Sequence, residues 1–242
     1  MRIAQISDLH IGQLGEDTFG VDVRQNFELI LQKISTSSID YIVLSGDLCY
    51  QDPHPAIFTF VKMRLDQTGI PYFVIPGNHD DTRMLAQYFG LESLLKQNEL
   101  FFQQSLDGIS VLFLDTAVGH LSDAQKGWLQ EEVNKQKQDI LIFMHHPPLL
   151  AGVPFMDQNH PLRDHEEVRK IFLEAPVNVH VFCGHYHIDK NLRLANLQVS
   201  ITPSCFFQLD PHFSDFAVDH RRIGFREIEW DGQFLQHRVI WL

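Results

Sequence analysis

Tyr41-Ile42-Val43-Leu44-Ser45-Gly46-Asp47 is an uncharged, largely apolar run that breaks off at a glycine and an aspartate. A strand without polar alternation is buried on both faces, as in a parallel sheet covered by helices. The flanking sequence supplies those helices. Upstream, Phe27, Ile30, Leu31 and Ile34 recur at helical spacing within residues 21–35, and residues 2–7 read as another strand. Downstream, Ile57, Phe58, Val61 and Leu65 mark a helix over residues 55–67, and Pro71 and Pro76 bracket a third strand at 72–75. The order is βαβαβ, a parallel sheet built by crossover helices.

Further along, residues 101–106 and 109–115 flank Asp107-Gly108, a pair suited to a tight hairpin turn. Ser122 is placed to cap a helix over 122–137. Strands follow at 140–144 and 177–183, with a helix at 166–174 between them. Beyond residue 183 the helical spacing stops. Short strands are expected at 192–194, 198–202, 206–209, 224–230 and 234–241, the last two joined by Asp231-Gly232. These late strands are expected to build a second, more antiparallel sheet. The expected fold class is α/β: a four-layer α/β/β/α sandwich of two mixed β-sheets flanked by helices. With no linker and no repeat, one domain is expected over residues 1–242.

Composition narrows the function. The chain is 44% hydrophobic, enough for a sizeable core. No apolar segment with a cleavage site opens it, and runs such as residues 140–144 are too short to cross a bilayer. Cys49, Cys183 and Cys205 are odd in number and scattered, which fits neither a disulfide framework nor a zinc finger. A cytoplasmic protein is expected. The formal net charge of -12 argues against an anionic membrane or a nucleic-acid polymer as partner.

The fourteen histidines are many for this length, and several fall in five short motifs. Asp8-Leu9-His10, Gly46-Asp47, Gly77-Asn78-His79-Asp80, His145-His146-Pro147-Pro148 and Gly184-His185-Tyr186-His187 each follow a strand. In open α/β sheets ligands bind beyond the carboxyl ends of the strands. Imidazole nitrogen, carboxylate oxygen and amide oxygen together suit Fe, Mn, Zn or Co. In Asp8-x-His10 the two side chains share a face if the backbone is extended. His185 and His187 do the same unless a turn aims them apart. Gly46, Gly77 and Gly184 allow sharp turns and close backbone approach.

These five motifs resemble those of the calcineurin-like metallophosphoesterase superfamily, over nearly the whole chain. Phe155-Met156-Asp157-Gln158 followed by Leu162-Arg163, Thr202-Pro203-Ser204 followed by Gln208, and Asp215-Phe216-Ala217 are similar to the class III 3′,5′-cyclic nucleotide phosphodiesterases and the related bacterial glycerophosphodiesterases. The resemblance implies two metal ions. Asp8, His10, Asp47 and His187 would hold one, and Asn78, His145 and His185 would join a bridging Asp47 on the other. It also implies that His79 contacts the substrate phosphate, as general acid or as a stabiliser of phosphoryl charge, with Asp80 as a candidate to orient it. His146 is expected to orient its neighbours or to line the substrate pocket, and His120 and His212 are further candidates for that lining.

The implied chemistry is consistent with the acidic surface. Two divalent ions bring four positive charges against two from Asp8 and Asp47, so the site itself attracts a monoanionic phosphodiester. Coordination lowers the pKa of water from about 15.7 towards about 7, and a hydroxide bridging two ions attacks phosphorus in line. The expected function is hydrolysis of a small phosphodiester, with a 3′,5′-cyclic nucleotide such as cyclic AMP first. A broader glycerophosphodiesterase is the alternative. A non-catalytic scaffold, as in the retromer subunit that shares the fold, would lack ligands, and none is missing.

The chain departs from several branches. Tyr50, three residues after Asp47, is similar to the iron-binding tyrosine of purple acid phosphatases, but those enzymes carry glycine where His10 stands. Its expected place is beside the site, with an additional metal contact as the alternative. The Asp-Arg-Gly of Ser/Thr protein phosphatases is absent after Asp47. Asp164 stands where the narrower family carries asparagine. His54, His160, His165, His180, His220 and His237 read as surface or filler. The segment from Phe206 to Phe216 is expected to pack in the core, with a homo-oligomer interface as its other reading.

Overall fold

The computed structural model describes residues 1–242. Its first half is β1 (Arg2–Ile6), α1 (Val23–Ser35), β2 (Tyr41–Ser45), α2 (Pro55–Thr68), β3 (Tyr72–Ile75) and α3 (Thr82–Phe89). Asp22 caps α1 by accepting from the Gln25 N–H, and Val23, Phe27, Ile30, Leu31 and Ile34 form its buried face. α2 opens on Pro55, whose missing N–H costs nothing in a first turn, and ends at Gly69 in the left-handed conformation. β2 lies between β1 and β3, parallel to both.

After the two-residue strands β4 (Leu95–Lys96) and β5 (Glu99–Leu100) come β6 (Phe102–Leu106), β7 (Ile109–Phe113), α4 (Asp123–Asn134), β8 (Ile140–Phe143), α5 (Pro154–Asn159), α6 (His165–Leu173) and β9 (Val179–Cys183). Ser122 caps α4 as expected. The chain ends with β10 (Lys190–Leu194), β11 (Leu197–Ile201), β12 (Gln208–Leu209), β13 (Val218–His220), β14 (Gly224–Trp230) and β15 (Leu235–Trp241).

Two mixed sheets result, ordered β15-β14-β1-β2-β3 and β10-β11-β9-β8-β7-β6. The partition differs from the sequence expectation. The late strands do not form one sheet together: β10 and β11 extend the sheet of β6–β9, β14 returns to pair antiparallel with β1, and only β12 and β13 pair with each other as a separate two-stranded ribbon. Without β14, the buried strand β1 would have an open edge, and the buried apolar residues of β14 (Phe225 on one face, Ile228 and Trp230 on the other) would have no core. Helices α3 and α5 also escape the sequence reading. α3 has a cap, the Asp81 carboxylate accepting from the Met84 N–H, but it is too short to show periodicity.

One continuous apolar core joins the sheets. Phe73 of β3 meets Phe113 of β7 at 4.9 Å between centroids, and Phe143 and Phe182 continue the stack across β8 and β9. A polar thread crosses the same interface. Arg226, 1% exposed, donates to Thr202 Oγ1 and to Asp189. Thr202 donates to Gln5 Oε1, and the Gln5 amide donates to Ser45 Oγ and the Cys183 carbonyl. A buried arginine is tolerable because its donors are met. His237 is part of this thread, 3.0 Å from Arg226 Nη1, so it is not filler. No helix is long and apolar enough to cross a membrane.

Candidate metal centre

The carboxyl ends of β1, β2, β3, β8 and β9 meet at one place. The Asp8 N–H donates to the Gly46 carbonyl, the His10 N–H to Asp47 and the Gly184 N–H to His145, so the loops after four of these strands are tied by main-chain bonds. Asp80 ties in the fifth. Its buried carboxylate accepts from the Leu48, Cys49 and Gly77 N–H groups. It makes no bond to the His79 ring, which corrects the expectation that it orients that histidine: three backbone donors occupy it instead.

Asp8, His10, Asp47, His185 and His187 all have positive φ, between 46° and 67°. A non-glycine residue there costs roughly 1–2 kcal/mol. The condition under which Asp8 and His10 would share a face of an extended strand is therefore not met; a left-handed turn brings the two together instead. The turn at 184–187 likewise aims His187 towards Asp8 and His10, and His185 towards Asp47 and His145. Such strain persists only where the surroundings over-determine it, and it clusters at functional sites.

The packing leaves no space behind these side chains. A Cβ at Gly184 would overlap Ser7 Oγ and Asp8 Oδ2, and one at Gly77 would overlap Asp47 Oδ1. Gly184→Ala should therefore lower stability by about 1–3 kcal/mol through overpacking and weaken metal retention by displacing Asp8. Thermal melting with metal analysis checks this; an unchanged melting point and metal content would show that the loop accommodates the methyl.

Three overlapping groups have potential ligand atoms within 4.8 Å of one another: Asp8–His10–His187, His10–Asp47–His79 and Asp47–His145–His185. Main-chain carbonyls assign the tautomers. Ser45 O accepts from His145 Nδ1 at 2.8 Å, Phe207 O from His187 Nδ1 at 3.0 Å, and His160 O from His185 Nε2 at 2.9 Å. A carbonyl can only accept, so the opposite nitrogen of each neutral ring presents a lone pair. For His145 and His187 that nitrogen is Nε2, 3.2 Å from Asp47 Oδ2 and 3.4 Å from Asp8 Oδ1 respectively. A lone pair facing a carboxylate oxygen is repulsive unless a cation lies between them. His145 Nε2 and His10 Nδ1 are buried and have no hydrogen-bond partner. This donor set fits metal ions.

The titration behaviour agrees with that reading. Burial pushes His10 and His185 down to about 3, which keeps them neutral donors. Burial also raises Asp8, but His187 and His145 outweigh it and hold the carboxyl at about 2. Burial opposes charge on His145 too, yet Asp47 and Asp8 prevail and lift it to about 9.

The remaining candidates divide. Asn78 is exposed at the mouth of a cavity of about 330 Å³ that also exposes His10, Asp47, His79, His185 and His187. Tyr50 lines the same cavity, its ring 5.8 Å from Phe206. His146 is buried behind the donors, 4.1 Å from the His185 ring, and shares a hydrogen bond with Thr116 Oγ1. It does not line the cavity, which removes the lining role but keeps the orienting one. His120 lies against Arg163 and His212 is on the surface; neither reaches the cavity. His160, read from the sequence as filler, does line it, and its carbonyl holds His185. No sequence signal marks that carbonyl, because the contribution is main-chain.

A pair of mixed sheets whose strand ends converge on buried aspartates and histidines is the architecture of a metallophosphoesterase. The sequence profile of the calcineurin-like phosphoesterases matches residues 1–189, and the chain belongs to that family. It is 34% identical over 239 residues to a probable cyclic nucleotide phosphodiesterase of Fibrobacter succinogenes, covering 99% of this chain and 93% of that protein. It is 29% identical to the 3′,5′-cyclic adenosine monophosphate phosphodiesterase CpdA of Escherichia coli K12, covering 95% and 85%. A dimetal phosphatase of Danio rerio superposes with a TM-score of 0.70 at 13% identity, over 99% of this chain and 98% of that one, which shows the shared fold.

Proposed function

We propose that this protein is a dinuclear metal-dependent phosphodiesterase whose preferred substrate is a 3′,5′-cyclic nucleotide, cyclic AMP first. The observation that carries the reading is the shared use of Asp47. It belongs to donor groups on both sides of the cluster, and the histidines around it have their lone-pair tautomers set by carbonyls. Asp8, His10, Asp47 and His187 would hold one ion; Asp47, Asn78, His145 and His185 the other. Fe, Mn, Zn and Co all suit these donors. When bound, such ions supply Lewis acidity toward phosphoryl oxygens and make water acidic enough to attack near neutral pH.

The chain's own residues do the rest. The His79 N–H donates to Asp47 Oδ1 at 2.9 Å, which pins the histidine to the cluster. Its Nδ1 lies 3.3 Å from the Gln51 carbonyl and therefore carries a proton. Nε2 is left facing the cavity, 4.0 Å from Asp47 Oδ2. In the imidazolium form it donates its proton to the departing alkoxide. The relatives' printed activities and their coverage of nearly the whole chain support the diester substrate. We take residues 1–242 to act as one domain. The free, buried cysteines suit the cytoplasm.

The test is hydrolysis of cyclic AMP, bis(p-nitrophenyl) phosphate and glycerophosphoethanolamine by the Mn-loaded protein, with and without chelator. Turnover of cyclic AMP that chelation abolishes and Mn restores is the expected result. Turnover of glycerophosphoethanolamine without cyclic AMP would move the assignment to a glycerophosphodiesterase; a relative named as GpdQ from Arcobacter nitrofigilis is 26% identical over 77% of this chain. Bound metal without any turnover would indicate a scaffold.

A further inference from the structure

We infer that the aromatic wall beside the metal centre is a stacking subsite for a planar ring on one ester arm of the substrate, and that Phe19 determines how firmly that ring is held. The inference rests on the phosphodiesterase reading above. The wall begins at the donors themselves. Phe206 lies 5.3 Å from the His10 ring and Phe207 lies 5.3 Å from the His187 ring. The two phenylalanines are 4.1 Å apart and nearly fully buried, so their position is fixed by the core. They form the fixed base of the wall at its metal end, and the exposed faces beside them belong to Phe19 and Phe216.

Phe19 completes the wall from a different part of the chain. Its centroid is 5.6 Å from Phe207, 6.0 Å from Phe206 and 6.1 Å from Phe216. Core packing does not account for it, because Phe19 is 49% exposed and Phe216 47% exposed. It also sits at φ 54°, next to Gly20 at φ 66°, a conformation unfavourable for phenylalanine that buries little of its ring. Its carbonyl accepts from Arg221 Nη2 at 3.1 Å, which anchors the turn with the ring over the cavity. A phosphodiester with two small polar arms has no use for such a surface, whereas a base presents a flat π-face to it.

The rest of the lining fits a neutral heteroaromatic ring. Gln51, Asn78 and His160 offer donors and acceptors at its rim, no Lys or Arg lines the cavity, and its one acidic residue is Asp47 of the metal centre. The wall therefore selects shape and polarisability rather than charge.

The test is calorimetric titration of the Mn-loaded full chain with 5′-AMP and with ribose 5-phosphate, which differ by the base. Binding of 5′-AMP at least about tenfold tighter, ~1.4 kcal/mol, is expected. Phe19→Ala should shrink that ratio to about two or less, and Phe19→Trp should keep it, with melting points unchanged in both. Equal affinities in the wild type, or a ratio indifferent to Phe19→Ala, would overturn the inference. If the wild type nevertheless hydrolyses a phosphodiester, the subsite alone has failed. If neither ligand binds and no diester is hydrolysed with metal present, the phosphodiesterase reading has failed and the subsite with it.

Discussion

Asp47→Ala is expected to lower kcat/KM for the preferred diester by at least about a thousandfold, ~4 kcal/mol of transition-state stabilisation. Asp47 Oδ2 lies 3.2 Å from His145 Nε2, 3.7 Å from His10 Nε2 and 4.0 Å from His79 Nε2, and the residue is 2% exposed. Burial alone would favour its neutral acid, but His145 and then His10 hold the carboxyl well below its usual value. The charge is thus fixed at the one point that both donor groups share. On the proposed bridging assignment its removal would take away an anionic ligand from each side at once, so metal content should fall along with activity. Asp47→Asn separates charge from shape: its amide oxygen can still accept the His79 N–H, yet activity should remain lost. Full metal occupancy in Asp47→Ala with more than a tenth of wild-type activity would refute the bridging assignment.

His79→Ala is expected to lower kcat by about 10²- to 10⁴-fold, the usual contribution of a positioned general acid. Unlike Asp47→Ala, it should leave metal content unchanged. His79 is the outermost of the clustered histidines, with about a third of its side chain exposed, and its ring meets the cavity rather than the core. Its main-chain N–H bond to Asp47 survives the substitution, so the loop should keep its place. The proton-donor role makes a further demand. A p-nitrophenyl leaving group needs little protonation, so the artificial diester should suffer less than cyclic AMP. Loss of metal in proportion to activity would instead make His79 a ligand, a possibility raised by its place in the His10–Asp47–His79 group.

The two substitutions probe different kinds of legibility. Asp8, His10, Asp47, Asn78, His79, His145, His185 and His187 were readable as a set because each follows an apolar strand, and a parallel sheet delivers such positions to one edge. The backbone that joins them was not readable. Local reasoning could bring Asp8 and His10 to one face only on the condition of an extended backbone, whereas the structure holds both residues left-handed and tied by hydrogen bonds to the β2 loop. Asp80 shows the same limit. Beside His79 in sequence it looked like a partner for the ring, but its oxygens turn inward to three N–H groups.

What the sequence determined by itself, then, was the longer elements, their two periodicities and the residue types at the strand ends, because these are local properties of the chain. Tertiary structure alone decided three things. It sent the last hairpin back to the edge of β1, a choice between two sheets that alternation cannot express. It set the histidine tautomers through the carbonyls of Ser45, His160 and Phe207, atoms that every residue carries and no side-chain pattern marks. And it gathered Phe19, Tyr50, Phe155, Phe206 and Phe216 around one cavity from distant stretches of the chain. In each case the deciding contacts join residues far apart in sequence, and their energies exist only once the two sheets have packed.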